Sequence, residues 1–460
     1  MLTIENKKIY KFLRALFFSC LFLIGLLLTV KINAHQYDGI FLDPNYYFHL
    51  HDDQMITQRV AYNFWFYGKP YYNISSAIAG NTSLFWPIII SPLYSFIDYQ
   101  IVIVVMFLIS ALLSSLVIFF MTFYEEDDLK VVFKTLLLLL TPATVSYATS
   151  GWEHIPQAVL ITFSFLLIQN EYKKKGRLII TNLSLIILSL SFLLRPDSAP
   201  LILVTGCYWL ITNAYYNRKI KNNIYISLII VAVCLAMLLS YLYGMMYFYS
   251  DIFPNTYYHK QLSLGDSLFS GVRYILNPTT TNLWFYVFVF VLLFYSKLNQ
   301  VQKFFVHCIS LQILYIIWVG GGTYENGRFL ILIIPILIIL FVDTLDIFLR
   351  SKLPETFVPK VRGVIIILFL FAQYLQPINI KNLLHTKFEA SFYSDKEGPI
   401  LSQMILADVL NKTLDESDGS IGLHYAGIGY HLPKFNITDF MGLIDAKIAH
   451  SDYKNLRIGH

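Results

Sequence analysis

Long runs without a charged residue constrain this chain more than any other feature. Residues 101–123 hold no Asp, Glu, Lys, Arg or His, and 15–32 and 364–375 hold almost none. A helix needs about 20 predominantly apolar residues to cross the hydrocarbon core of a bilayer. The rest of the chain agrees: 56% of residues are hydrophobic, 14% are charged and the mean hydropathy is +0.58. Soluble domains carry about a quarter charged residues, so the expected class is an α-helical polytopic membrane protein. No alternation of period two runs through the apolar stretches, which argues against a membrane barrel. The net charge of +5 is dispersed along the chain, so it does not point to nucleic acid. Cys20, Cys207, Cys234 and Cys308 all lie in apolar stretches, with neither disulfide nor zinc spacing.

Eleven stretches are predicted to span: 15–33, 101–123, 132–149, 156–170, 178–194, 199–213, 224–243, 281–296, 306–320, 329–345 and 363–379. The first is too long for a signal-peptide core and no small-residue cleavage site follows it, so it reads as a retained anchor. Cytoplasmic loops are enriched in Lys and Arg. Lys7, Lys8, Lys11 and Arg14 therefore place the N-terminus in the cytoplasm, and nineteen of the 34 basic residues then fall on that side. Before the C-terminal tail, the opposite side and its helix ends hold only Lys31, Arg59, Lys69, Arg195, Lys260, Arg273 and Arg328. The expected protein is a multi-pass protein of the inner (plasma) membrane with an extracytoplasmic C-terminus. Residues 1–379 form the transmembrane module, with 34–100 as a first outer loop, and 380–460 a small outer α/β domain. The polar, aromatic-rich segments all fall outside, so function is expected there.

Within the first outer loop, Asp52, Arg59 and Asn63 are seven and eleven residues apart. On a helix that spacing puts them within about 40° of one face, with Asp53 about 100° away. A carboxylate aligned with a guanidinium can activate an acceptor hydroxyl while a cation holds a phosphate. The same pattern suits a solvated amphipathic helix lying on the bilayer. Residues 84–96 are apolar but short and carry Pro87 and Pro92, which predicts a re-entrant or interfacial helix.

The run Asp52-Asp53-x-x-Ile56-Thr57-x-Arg59, then Asn63, Gly68, Asn73 and Gly80-Asn81-Thr82-Ser83-Leu84-Phe85-Trp86, resembles the first extracytoplasmic loop of the GT-C glycosyltransferases. The likeness is greatest to the branch related to the terminal β-arabinofuranosyltransferase of cell-wall arabinan synthesis. Gln54 and Met55 replace that branch's small and aromatic residues, and Asn81 replaces its tyrosine. Further motifs follow in the same order. Ser150-Gly151-Trp152-Glu153 is similar to S-G-[LM]-E, Leu194-Arg195-Pro196-Asp197 to R-P-[DE], and Pro254-Asn255-Thr256-x-Tyr258-x-Lys260 to P-N-T-x-Y-x-K. Val319-Gly320-Gly321 with Gly327-Arg328-Phe329-Leu330 resembles V-G-G-D…G-R-F-L, but Gly322 stands where the aspartate would be. Gly427, Tyr430, Asp439, Gly442-Leu443-Ile444-Asp445 and Ile448-Ala449 resemble the closing run.

The resemblance implies transfer of a sugar from a polyprenyl-phosphate donor to an acceptor glycan or glycolipid outside the membrane. It makes Asp52 the expected general base and Asp53 a second base candidate, and leaves a divalent cation at these two residues open. Arg59, Asn63, Glu153, Arg195, His259, Lys260 and Arg328 become candidates for the donor's phosphate and sugar. Cations aimed at the leaving phosphate would stabilise the charge that develops there. Plainer roles stand beside these. Glu153 could cap the following helix, Arg195 and Arg328 could snorkel, and Asp197 could pair with Arg195. Glu325 could replace the aspartate lost at Gly322, and Asp439 and Asp445 are expected to be architectural. The competing functions are a flippase for a lipid-linked glycan and an O-antigen-type polymerase or ligase. A transporter would predict internal repeats and mid-membrane ionisable groups, and no repeat is evident.

Overall fold

The computed structural model describes residues 4–34, 52–216, 222–259, 263–281, 283–322, 327–375, 406–414, 419–423, 426–440 and 442–450. The protein is mostly helical. The helices run α1 Ile4–Ala34, α2 Asp52–Tyr67, α3 Phe85–Ile90, α4 Tyr99–Phe123, α5 Asp128–Leu139, α6 Pro142–Tyr147, α7 His154–Lys175, α8 Asn182–Leu194 and α9 Ala199–Tyr216. They continue as α10 Asn222–Tyr249, α11 Asn255–His259, α12 Leu264–Leu276, α13 Pro278–Thr281, α14 Trp284–Leu293, α15 Gln300–Trp318, α16 Ile334–Arg350 and α17 Val358–Leu375. Among the described residues four stretches are long and apolar enough to cross a membrane: Asn6–Leu28, Ile101–Phe123, Tyr225–Tyr249 and Gln300–Trp318. Asn182–Leu194 and Trp284–Leu293 are apolar but shorter.

Local chemistry sets several boundaries. Asp127 caps α5 by accepting from the Leu129 and Lys130 N–H groups, and Asn299 and Gln302 form a reciprocal capping box at the start of α15. The stretch 132–149 is not one helix. It breaks at Thr141, and Pro142 opens the short α6, because proline removes a backbone donor and clashes with the preceding turn. The apolar segment with Pro87 and Pro92 forms α3 followed by a 3₁₀ turn, Ser91–Ser95, and Ser91 and Tyr94 are buried.

Two polar clusters sort along α4. Near its Thr122 end, Arg14 pairs with Asp128 and donates to the Thr122 carbonyl, and Lys134 pairs with Glu125. Lys130 bridges Asp343 and Asp346 at 2.8 and 3.0 Å, and Arg362 meets Asp346 at 2.7 Å. At the other end, Tyr99 and Tyr430 exchange hydroxyl-to-carbonyl hydrogen bonds and stack with centroids 4.3 Å apart.

The described part of 380–460 contains one parallel strand pair, β1 Ser420–Leu423 and β2 Asn436–Asp439, joined through the 3₁₀ turn Ala426–His431. It does not carry a core of its own. Ile428, Tyr430, Phe435, Ile437 and Ile444 share one cluster with Met55, Ile56, Val60, Tyr72, Trp86 and Tyr94. The first loop and the C-terminal segment are therefore a single packed unit seated on α4. Helix α2 is also no solvated surface helix, since Gln54–Ala61 are all buried.

Candidate functional site

Gly151 begins the site. Its φ of +76° lets the chain turn sharply between α6 and α7, a conformation other residues adopt only with strain. Its N–H donates to Ser110 Oγ at 3.0 Å, and its carbonyl accepts from Trp86 Nε1 at 3.1 Å. The turn is thereby fixed where the third turn of α4 passes into the fourth, about 16 Å in from the Tyr99 end at 1.5 Å per residue. Trp152 follows, buried and stacked on Tyr147 at 5.2 Å.

Arg328 enters after Gly327, whose φ is +74°. Its guanidinium lies 4.4 Å over the Trp152 ring, and Nη2 is 2.7 Å from Asp53 Oδ2. Beside Trp152, Glu153 does not cap α7 with its side chain; Oε1 accepts from Arg195 Nη1 at 2.8 Å. Arg195 sits in extended conformation between the end of α8 and Pro196, because a residue before proline avoids the helical region. Its Nε donates to Asp197 Oδ2 at 2.7 Å. Gln157 donates to Asp197 Oδ1 at 2.8 Å and Gln312 to the Asp197 carbonyl at 3.0 Å. Glu153, Arg195, Asp197 and Arg328 are all buried. Charges out of water are stable only when paired and hydrogen-bonded, and this network supplies both. Asp53 is the open member, its side chain 30% exposed.

Asp53, Glu153, Arg195 and Arg328, from four distant stretches, thus come together. Arg59 and Asn63 do share a face of α2, as their spacing predicts, but their donors are committed elsewhere. Arg59 donates from Nε to the Tyr72 carbonyl at 2.9 Å, and from its two terminal nitrogens to the carbonyls of Gly429, Leu432 and Phe435 and to Asn73 Oδ1. A guanidinium has five N–H groups, so none is left for a phosphate. Asn63 gives both amide hydrogens to the Tyr71 and Tyr72 carbonyls, at 2.8 and 2.9 Å. Arg59 thereby holds the C-terminal segment against α2 and Asn63 holds the backbone at Tyr71 and Tyr72, so the N–H groups expected to meet the donor are engaged within the protein. The side chains of Asp52 and His259, and Lys260 and Glu325 entirely, lie outside the described residues.

Other motif residues are architectural. Asn255 donates to the Gly442 and Leu443 carbonyls at 2.7 and 3.0 Å, Asp439 accepts from the Leu443 and Ile444 N–H groups, and Asp445 caps the short helix Ala446–Ala449. At Gly322 a Cβ would come 2.5 Å from the Phe329 ring, so an aspartate would require that ring to move. Sequence reading missed Gln157 and Gln312. Gln157 lies one helical turn after Glu153, a placement that could have marked it. Among the described residues no three His, Cys, Asp or Glu side chains are grouped to hold a metal. No protein-family model matches the chain, and no curated protein matches its sequence.

Proposed function

We propose that the chain is an integral-membrane glycosyltransferase that moves a sugar from a polyprenyl-phosphate donor to an acceptor glycan or glycolipid. In this reading the eleven apolar stretches cross the inner membrane, and the Arg14–Lys134–Arg362 cluster faces the cytoplasm. The Trp152 site then opens to the outside. The observation that carries the proposal is the meeting of Arg328, Trp152, Glu153 and Arg195 beside the partly exposed Asp53, because clustered ionisable groups with an aromatic face recur at binding and catalytic sites. Asp52 is the general base. It takes the proton of the acceptor hydroxyl as that oxygen bonds to the sugar's anomeric carbon and the bond from that carbon to the phosphate oxygen breaks. Polyprenyl phosphate leaves with the bonding electrons. Arg328 anchors the neighbouring Asp53 and so fixes the first turn of α2.

The described cluster has three carboxylates, Asp53, Glu153 and Asp197, against two guanidiniums. A phosphate therefore needs a further cation, and Lys260, supported by His259, is assigned that part. Purified protein given a panel of lipid-linked sugars is expected to consume one of them, and Asp52→Asn to insert normally but abolish transfer. Wild-type turnover by Asp52→Asn would remove Asp52 from the base role.

One observation favours a second reading. The Gly151 turn, two residues before Glu153, lies against the middle of α4, and ionisable groups at membrane depth also mark transport pathways. A flippase for a lipid-linked glycan would move the lipid across proteoliposomes without consuming it, which the same panel distinguishes.

A further inference from the structure

The site holds buried polar groups that the network above does not use. Gln54 is fully buried, and neither its amide nitrogen nor its oxygen has a hydrogen-bond partner. One turn on, Gln58 Oε1 accepts from the Tyr94 hydroxyl at 2.9 Å, but its amide nitrogen is unpartnered. His154 is 1% exposed and both its ring nitrogens are unpartnered. Glu153 Oε1 is 4.0 Å from His154 Nδ1, beyond hydrogen-bond range. Gln54 and His154 adjoin the site, and Gln58 lies one turn along α2 from Gln54. Gln54 Nε2 lies 2.8 Å from where a Gly151 Cβ would stand, and Gln54 follows Asp53 directly. The His154 ring is 5.4 Å from that of Trp152, and both Arg195 and Arg328 act on it electrostatically.

A buried polar group without a partner is costly, and native structures rarely keep several together without a use. Two carboxamides and an imidazole offer neutral donors and acceptors, which suits hydroxyl groups and not another charge. We propose that Gln54 and His154, with the Gln58 amide, form a subsite that reads hydroxyl groups of the transferred sugar beside Trp152. This inference rests on the proposed glycosyl transfer and adds which residues choose the sugar. Gln54 is also a point where this chain departs from the motif it resembles, so the subsite is the chain's own selectivity device. A site built to bond a hydroxyl discriminates strongly against analogues that lack it, because its own polar groups are then left unpaired.

The test uses the full-length protein in detergent with farnesyl-phosphoryl donors carrying a pentofuranose or a hexopyranose, and their monodeoxy analogues. Turnover and the donor-induced rise in Tm are both read. Gln54→Met and His154→Phe keep the volume and remove the polar atoms. Each is expected to lower kcat/KM for the preferred donor about 10- to 100-fold, while leaving one deoxy analogue unaffected. His154→Gln should recover part of the loss. Unchanged kcat/KM in both variants of an active protein would overturn the subsite and leave the transfer standing. An equal loss on the parent donor and every deoxy analogue would also overturn it, since a merely structural role acts that way. If no donor turns over but donors raise the Tm of wild type and not of the variants, the subsite stands and the transfer falls. If no donor turns over or raises the Tm, both fall.

Discussion

At the Thr122 end of α4, Lys11, Arg14, Lys130, Lys134 and Arg362 are laced to Glu125, Glu126, Asp128, Asp343 and Asp346 by direct ion pairs. Level with the Gly151 turn, two guanidiniums face three carboxylates, and Gln54, Gln58 and His154 keep polar atoms without partners. Both regions bury charge, and in both the carboxylates outnumber the cations by one once the Arg362–Asp127 contact at 3.9 Å is counted. The second differs in the kind of group left over: neutral carboxamides and an imidazole, where in the first the unpartnered atoms of the residues named are the Nε of the otherwise paired Arg14 and Arg362. A scaffold has no reason to keep neutral polar groups unpartnered, whereas a site that must receive a hydroxylated ligand does. The contrast separates architecture from function more sharply than burial or charge alone.

The largest expected effect comes from removing one guanidinium at each place. Arg195→Met leaves Glu153 and Asp197 buried without a cation, whereas Arg362→Met leaves Asp346 still paired with Lys130 at 3.0 Å. The first should cost about 3–5 kcal/mol of stability, as breaking a buried pair does, and the second less. Transfer then splits them: the Arg195 variant should be inactive in whatever fraction folds, and the Arg362 variant should retain wild-type turnover per folded molecule. Equal activity in the two folded fractions, measured by turnover against Tm, would erase the distinction.

Arg59 sharpens the comparison from outside both clusters. Its guanidinium ties α2 to three carbonyls between Gly429 and Phe435, and a lysine offers only three donors from one point. Arg59→Lys is expected to lose roughly 2–3 kcal/mol and to speed proteolysis of the C-terminal segment, with little change in donor KM. A large rise in KM with unaltered proteolysis would return Arg59 to the ligand.

How much of this could be read in the sequence depends on the range of the interaction. The apolar stretches were legible because helix hydrophobicity is local, and so was the common face of Arg59 and Asn63, which both reach the Tyr72 carbonyl. Pro142 announced the break before α6, yet a reading by hydropathy alone ran across it. Motif order brought Glu153, Arg195 and Arg328 into the candidate set. What those residues touch was not legible. Arg59 meets carbonyls some 370 positions away, and no spacing rule reaches so far. The subsite was hidden for a different reason: nothing in the letters for Gln54 and His154 says that their polar atoms go unpartnered. That is a property of packing and appears only when the surrounding side chains are in place.

The smallest expected effect is a separation in pH between the scaffold end and the C-terminal segment. Burial works to raise the Glu125 pKa, but the Lys134 ammonium beside it prevails and brings the carboxyl from 4.5 down to about 2. A carboxyl with a depressed folded pKa contributes stability that is present above its unfolded value and is lost as pH falls toward the folded one. That end should hold until the pH drops below 4.5. His431, in the turn pinned by Arg59, is pushed by burial from 6.5 down to about 4. The folded state therefore binds fewer protons than the unfolded state in that window, and the contribution present above pH 6.5 is lost as pH falls toward 4. Between pH 6.5 and 4.5 the C-terminal segment, with the first loop it packs against, should loosen before the α4–α5 end does. Limited proteolysis across that range is expected to accelerate cleavage within 406–450 while the α4–α5 connection stays intact, and His431→Phe should flatten the dependence. Simultaneous loosening of both regions would mean that they unfold as one unit and that the two clusters share a single stability.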